Sequence, residues 1–190
     1  MSDKAAKKRQ FILDTAKTVF AEKGFKSVTM KDIVDACEIS RGGLYIYFDS
    51  TEAIFSEILR EEAAKQSWNL AGGSAGDRLA FFLSEQKKSI LSADKGLSVA
   101  LYEYMFYKHE ADLSCDDLKD AFKAGVAAVE AIVKEGVESG EFYADDIHSA
   151  TLNIVYLLEG LKLAAGTVGV SERDIDGQLV YILGGLIAEE

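Results

Sequence analysis

Apolar residues recur along this chain at three- and four-residue intervals, and no stretch alternates with a period of two for long enough to make a strand. Every element therefore reads as a helix. The most informative run is Thr29 to Phe48. Thr29 suits an N-cap, and Asp32 puts a carboxylate in the first turn, near the positive end of the helix dipole. Met30, Ile33, Val34 and Cys37 follow as one stripe. Ser40 caps a second helix from Arg41, in which Leu44 and Phe48 share a face. Its other face carries Arg41, Gly42, Tyr45, Ile46 and Tyr47. A helix that only closes a core would not usually expose two tyrosines and an isoleucine beside two glycines. A helix pressed into a DNA groove can use all of them. Hydroxyls and Arg41 suit phosphates or base edges, Ile46 suits thymine methyls, and glycine permits close approach.

The rest of the chain gives about nine helices in total. A first helix spans about Lys7 to Lys23, with Ile12, Ala16, Val19 and Phe20 inward and Gly24 as its C-terminal stop. Residues 1–9 read as a frayed basic arm, with Lys4, Lys7, Lys8 and Arg9 able to reach phosphates or a minor groove. Ser50 caps a helix that continues to about Trp68 and bridges two parts of the chain. AGGSAG, residues 71–76, is a break between helices. Further stripes run from Leu79 to Ile90, Leu97 to His109, Asp116 to Ser139, Asp145 or Asp146 to Leu161, and Asp174 to Ala188. The architecture expected is all-α. A three-helix helix-turn-helix head, residues 1–48, joins a larger helical ligand-binding and dimerisation body, residues 49–190.

A net charge of −11 argues at first against nucleic acid, but its distribution reverses that. Residues 1–48 hold 9 Lys and Arg against 6 Asp and Glu, while residues 49–190 hold 12 against 26. A mildly basic head on an acidic body fits a protein that meets DNA only through its head. Two distant cysteines, Cys37 and Cys115, together with the lack of a signal peptide, point to a reducing cytoplasm. No apolar run approaches membrane-spanning length.

The residues Gly24, Thr29, Ile33, Ile39, Ser40, Gly42, Leu44, Tyr45, Phe48, Ser50 and Glu52, at their spacing, resemble the N-terminal domain of the TetR family of bacterial transcription regulators, over roughly residues 7 to 59. There are departures. Cys37-Glu38 stands where the family usually has Ala-Gly, Gly43 where Thr, Ser or Ala is common, and Thr51 where a Lys usually touches a DNA phosphate. The resemblance implies a homodimeric regulator, a repressor, released from a palindromic operator by a small molecule. The DNA-contacting set would be Thr29, Ser40, Arg41, Gly42, Gly43, Tyr45, Ile46, Tyr47 and Thr51.

The last two helices are apolar on more than one face, which near a chain end calls for a second partner. In the resembled family they form a four-helix dimer interface. Ile154, Leu158, Leu161, Leu179, Leu183 and Leu186 are the interface candidates. Aromatic side chains in the body offer a ligand pocket: Trp68, Phe82, Tyr102, Phe106, Tyr107, His109, Phe122 and Tyr156. Enzyme chemistry is not expected, and neither a cofactor nor a metal. Asp145-x-x-His148 is the single carboxylate-x-x-His pair, and no phosphate-cradling loop, HExxH or nucleophile elbow occurs. A helical dimeric sensor that acts through a protein partner, with a head unable to bind DNA, is the alternative. It rests on Gly43 and Thr51.

Overall fold

The computed structural model describes residues 3–65, 72–92, 96–114 and 116–187. The expectations placed on Trp68 and Cys115 lie outside them. Nine α-helices occur among the described residues: α1 Asp3–Lys23, α2 Met30–Cys37, α3 Arg41–Tyr45, α4 Thr51–Lys65, α5 Ala75–Leu91, α6 Ser98–Glu110, α7 Asp116–Ser139, α8 Ile147–Ala165 and α9 Glu172–Gly184. No strand is present among them; Phe142 and Ile187 form an isolated antiparallel bridge.

Two compact units emerge, and their division does not follow the boundary expected at residue 48. The first contains α1 to α4 together with α6. Helix α1 begins at Asp3, so the basic arm is helical rather than frayed. Its stop is as expected: Gly24 has φ +76°, and its N–H donates to the Phe20 carbonyl at 2.9 Å. Ile12, Leu13, Ala16, Phe20, Ile33, Leu44, Ile54 and Phe55 are at most 1% exposed and make the core of this unit. Around Phe20 and Phe55, with ring centroids 4.7 Å apart, an aromatic cluster takes in Phe25 from the α1–α2 turn and Tyr104 from α6.

The second unit packs α5, α7, α8 and α9. Leu79, Leu83, Ile90, Val129, Val133, Ile154, Leu158 and Ile175 form its centre. Side-chain oxygens cap three of these helices: Ser74 accepts from Asp77 N–H, Asp146 from Ser149 N–H, and Ser171 from Asp174 N–H. The Ser74 and Ser171 caps start α5 and α9 slightly earlier than the apolar stripes alone suggest. Glu141, just after α7, accepts the Gly76 N–H at 2.9 Å at the start of α5. That contact holds its carboxyl below the usual range.

Phe142 folds back under the end of α7, where a Cβ at Gly136 would overlap its ring. Phe142 is 7% exposed and its N–H donates to the Gly136 carbonyl at 2.9 Å, so neither partner can easily retreat. Gly136→Ala should therefore destabilise the protein by about 1–3 kcal/mol through overpacking, despite alanine's better helix propensity. A lower urea midpoint at unchanged slope would register it.

Candidate nucleic-acid interface

The first unit positions a helix-turn-helix through its caps. Thr29 closes a capping box with Asp32: the Asp32 N–H donates to the Thr29 hydroxyl, and the Thr29 N–H donates to the Asp32 carboxylate at 2.9 Å. The Thr29 hydroxyl also donates to that carboxylate. Lys23, at the end of α1, reaches it at 2.6 Å. The Lys23 ammonium, and then the Thr29 hydroxyl and N–H, hold the Asp32 carboxyl well below the ordinary carboxylate range. Thr29 thus has a structural engagement besides the phosphate contact expected of it.

The turn after α2 passes through Glu38, at φ +51° and ψ +42°. This is the left-handed region, where a side chain is strained and glycine is not. The departure seen in the sequence at this point is a real local cost. Glu38→Gly should stabilise the protein by about 1 kcal/mol, seen as a higher melting temperature.

Ser40 caps α3 by accepting the Gly43 N–H at 3.1 Å. Helix α3 covers only five residues, shorter than the 41–48 expected, although the Phe48 N–H still donates to the Leu44 carbonyl at 3.1 Å. Leu44 and Phe48 are buried, as the periodicity requires, and pin the helix to the core. Arg41, Gly42, Tyr45 and Ile46 face out, Ile46 with 79% exposure. An isoleucine so exposed costs apolar hydration in the free protein unless a partner covers it. Gly43 and Tyr47 are half-buried, and Thr51 opens α4 in a similar half-buried setting.

Two surface grooves reach the ends of this segment, one at Tyr47 and the other at Arg41. One is lined by Lys4, Ala5, Lys7, Lys8, Phe11 and Tyr47. The other is lined by Thr29, Met30, Lys31, Val34, Asp35 and Arg41. The charges sort themselves around these grooves. Among the described side chains of this unit, Arg9 pairs with Glu57, Lys17 with Glu62, Lys23 with Asp32, Lys26 with Glu110, Arg60 with Glu57 and Lys108 with Glu52. Among the described residues Lys7 meets only the exposed Asp3 on its own helix. Lys4, Lys8, Lys31 and Arg41 have no carboxylate within 4.0 Å among the described residues, and all four line the two grooves. Lys8 instead lies over the Phe11 ring at 4.8 Å. Cations left without counter-charges beside an exposed helix are what a polyanion needs. Arg9, expected in the arm, turns inward to Glu57 and to the Phe48 ring. Lys31 and Phe11 were not singled out by sequence; Lys31 sits on the polar side of α2, where no periodic signal marks it.

Sequence reasoning also missed the residues that join α6 to this head. Glu103 accepts the Lys26 N–H at 2.9 Å, and its carboxylate fills the space that a Cβ at Gly24 would need. Lys108 pairs with Glu52 at 2.9 Å, and both are well covered. Tyr104, 4% exposed, packs on Phe25 and Phe55.

The expected interface residues are largely covered within the subunit. Ile154, Leu158, Leu161, Leu179 and Leu186 lie in the core of the second unit, at 2–9% exposure, and Leu183 is half-buried against it. The second apolar face of these helices is a different set: Tyr156 and Leu163 on α8, Val180 and Tyr181 on α9, exposed by 43–79%. Gly160, Gly177 and Gly184 add open positions to it.

The pocket candidates also fall into separate places. Tyr102, Phe106, Tyr107 and His109 belong to α6 in the first unit, where the Tyr107 ring packs 5.4 Å from Phe25. Phe82 is buried in the core of the second unit. Phe122 and Tyr156, also there, stack at 6.3 Å while staying exposed. His148 meets Glu130 at 3.1 Å on the surface, and no metal-ligating cluster occurs among the described residues. No described helix is long and apolar enough to cross a membrane.

Comparison with known proteins points to one family. Residues 12–58 match the bacterial regulatory proteins of the tetR family, and residues 78–176 match the tetracyclin repressor-like C-terminal domain. The HTH-type regulator YfiR of Bacillus subtilis is 32% identical over 140 residues, 72% of this chain and 68% of that protein. The repressor KstR2 of Rhodococcus jostii is 49% identical over 53 residues, 28% of this chain and 26% of its own. A transcriptional regulator from Saccharomonospora viridis, solved in complex with choline, superposes with a TM-score of 0.80 at 21% identity, covering 97% of this chain and all of that one.

Proposed function

Because this chain belongs to the TetR family of bacterial regulatory proteins, we propose that it is a homodimeric repressor that reads a palindromic operator through α3 and leaves it when a small molecule binds. The observation that carries the reading is the set of cations with no carboxylate within 4.0 Å among the described residues, Lys4, Lys8, Lys31 and Arg41, in the two grooves that reach Tyr47 and Arg41. Arg41, Gly43 and Ile46 meet base edges in the major groove, with Tyr45 beside Arg41 on the same face, while Thr29, Ser40, Gly42 and Tyr47 sit by the phosphates. The dimer forms through Leu163, Val180 and Tyr181 rather than the inner stripes of α8 and α9. The repressor KstR2 and the choline-bound regulator are the precedents for repression and for a small effector. Phe106 and Tyr102 on α6, and Phe122 and Tyr156 in the second unit, are the effector-binding candidates that remain near solvent. Since Glu103 and Lys108 bind α6 to the head, an effector that displaces α6 moves the head with it.

A sensor without DNA binding is not favoured, because Gly43 fits the capped α3 and leaves its outer face intact. Thr51 removes one backbone contact at most. Thr51→Lys should restore that contact, tighten binding to every sequence, and steepen the slope of log K against log salt by about one unit. The test of the whole reading is selection of bound duplexes from a random pool by the wild-type protein. An inverted repeat is the expected product, and a pool that never enriches would overturn the proposal.

A further inference from the structure

We infer that Tyr45 is a positioning residue for Arg41: its ring holds the plane of the guanidinium, so that the pair sets a preference for guanine at one base pair of each half-site. The inference rests on the reading of α3 as the DNA-contacting helix. Arg41 and Tyr45 stand at i and i+4 on α3, and the Arg41 Cζ lies 5.4 Å from the Tyr45 ring centroid. That spacing puts the two side chains on one face of the helix. No other ring or carboxylate contact to Arg41 is found among the described residues. Gly42 and Gly43 contribute no side chain between them, and a Cβ at Gly42 would meet nothing within 4 Å. The Tyr45 ring is therefore what Arg41 has to lean on.

The foundation beneath the pair is firm. Ser40 fixes the start of the helix, and Leu44, between the two residues, is fully buried. The face of a guanidinium stacks, while its N–H donors lie in the plane at its edge. When the guanidinium turns its face to the ring, its edge stays free, and the edge is what pairs bidentately with the O6 and N7 of guanine. The pairing needs a fixed plane, whereas attraction to a phosphate does not. Tyr45 should therefore affect discrimination and leave general affinity nearly alone.

Two measurements decide the matter. The first uses the DNA-free protein. The side-chain resonances of Arg41 should shift in Tyr45→Leu and stay in place in Tyr45→Phe, since only the leucine removes the ring. The second uses duplexes with the wild-type preferred sequence, varied at the base pair where Arg41→Ala relaxes the preference. Tyr45→Phe should keep the guanine preference, and Tyr45→Leu should reduce it by about tenfold, part of what a bidentate contact discriminates. The salt slope should not change. In the Arg41→Ala background, Tyr45→Leu should have no further effect at that base pair.

Equal losses in both backgrounds would mean that Tyr45 reads the DNA itself, and would overturn the inference. So would equal losses for phenylalanine and leucine, Arg41 resonances indifferent to the ring, or the lack of any base pair that depends on Arg41. A wild-type protein with no preferred sequence would instead remove the DNA reading beneath it, a separate outcome.

Discussion

A chain carrying both Val180→Glu and Tyr181→Glu should sediment as a folded monomer and lose tight binding to its operator. Val180 and Tyr181 are 67% and 79% exposed on α9, so a carboxylate at either costs the isolated subunit little. In a symmetric pair each face meets its own copy, and four carboxylates would be brought together away from water. With the dimer gone, the second head no longer binds at high effective concentration, a loss on the order of 10² to 10⁴ in affinity. Far-UV circular dichroism and melting should remain those of a folded protein. Leu158→Glu should behave quite differently. Leu158 is 2% exposed among Leu79, Val133 and Ile154, and an unpaired carboxylate there costs several kcal/mol against a total stability of about 5–15 kcal/mol. That variant should unfold or precipitate. The contrast separates a surface partner from a core. Dimers that survive the double substitution on α9 would move the interface elsewhere.

Arg41→Ala should cost about 1–3 kcal/mol in binding to the preferred sequence and relax discrimination at one base pair per half-site. Arg41 is exposed, carries no ion pair among the described residues, and lines a groove beside α3. Its loss removes a base contact and leaves the packing of Leu44 and Phe48 unchanged. Tyr47→Phe should instead weaken all sequences alike, because Tyr47 lines the lysine-rich groove and a phosphate contact carries no base information. Both variants should dimerise and melt like the wild type. Isotherms on the preferred duplex and on one changed at a single position distinguish the two patterns.

The caps and stripes near the head were legible because they are local. Thr29, Ser40 and Gly24 do in the structure what their residue types and spacing imply. Other features depend on contacts distant in sequence. By its place in the chain the aromatic run of α6 belongs to the body, yet Tyr104 completes the head core against Phe25 and Phe55, a pairing no periodicity reveals. On α8 and α9 the sequence displays two apolar stripes. Periodicity cannot say which stripe turns inward, and the more leucine-rich one does, since it fills the core. The start of α1 is hidden from the hydrophobic pattern because Asp3 to Arg9 carries no apolar stripe. An Asp3–Lys7 pair at 2.9 Å and an acidic first turn support a helix there all the same.

The most direct measurement compares binding of the wild-type protein to its selected inverted repeat with binding to the same duplex after one half-site is scrambled. Two heads related by a two-fold axis should lose at least about 10² in affinity when one half is destroyed, and Arg41→Ala should reduce the gap. Equal affinity for the two duplexes, at the same salt and with the same slope against salt, would contradict the account. It would mean that the basic grooves hold DNA without α3 reading it.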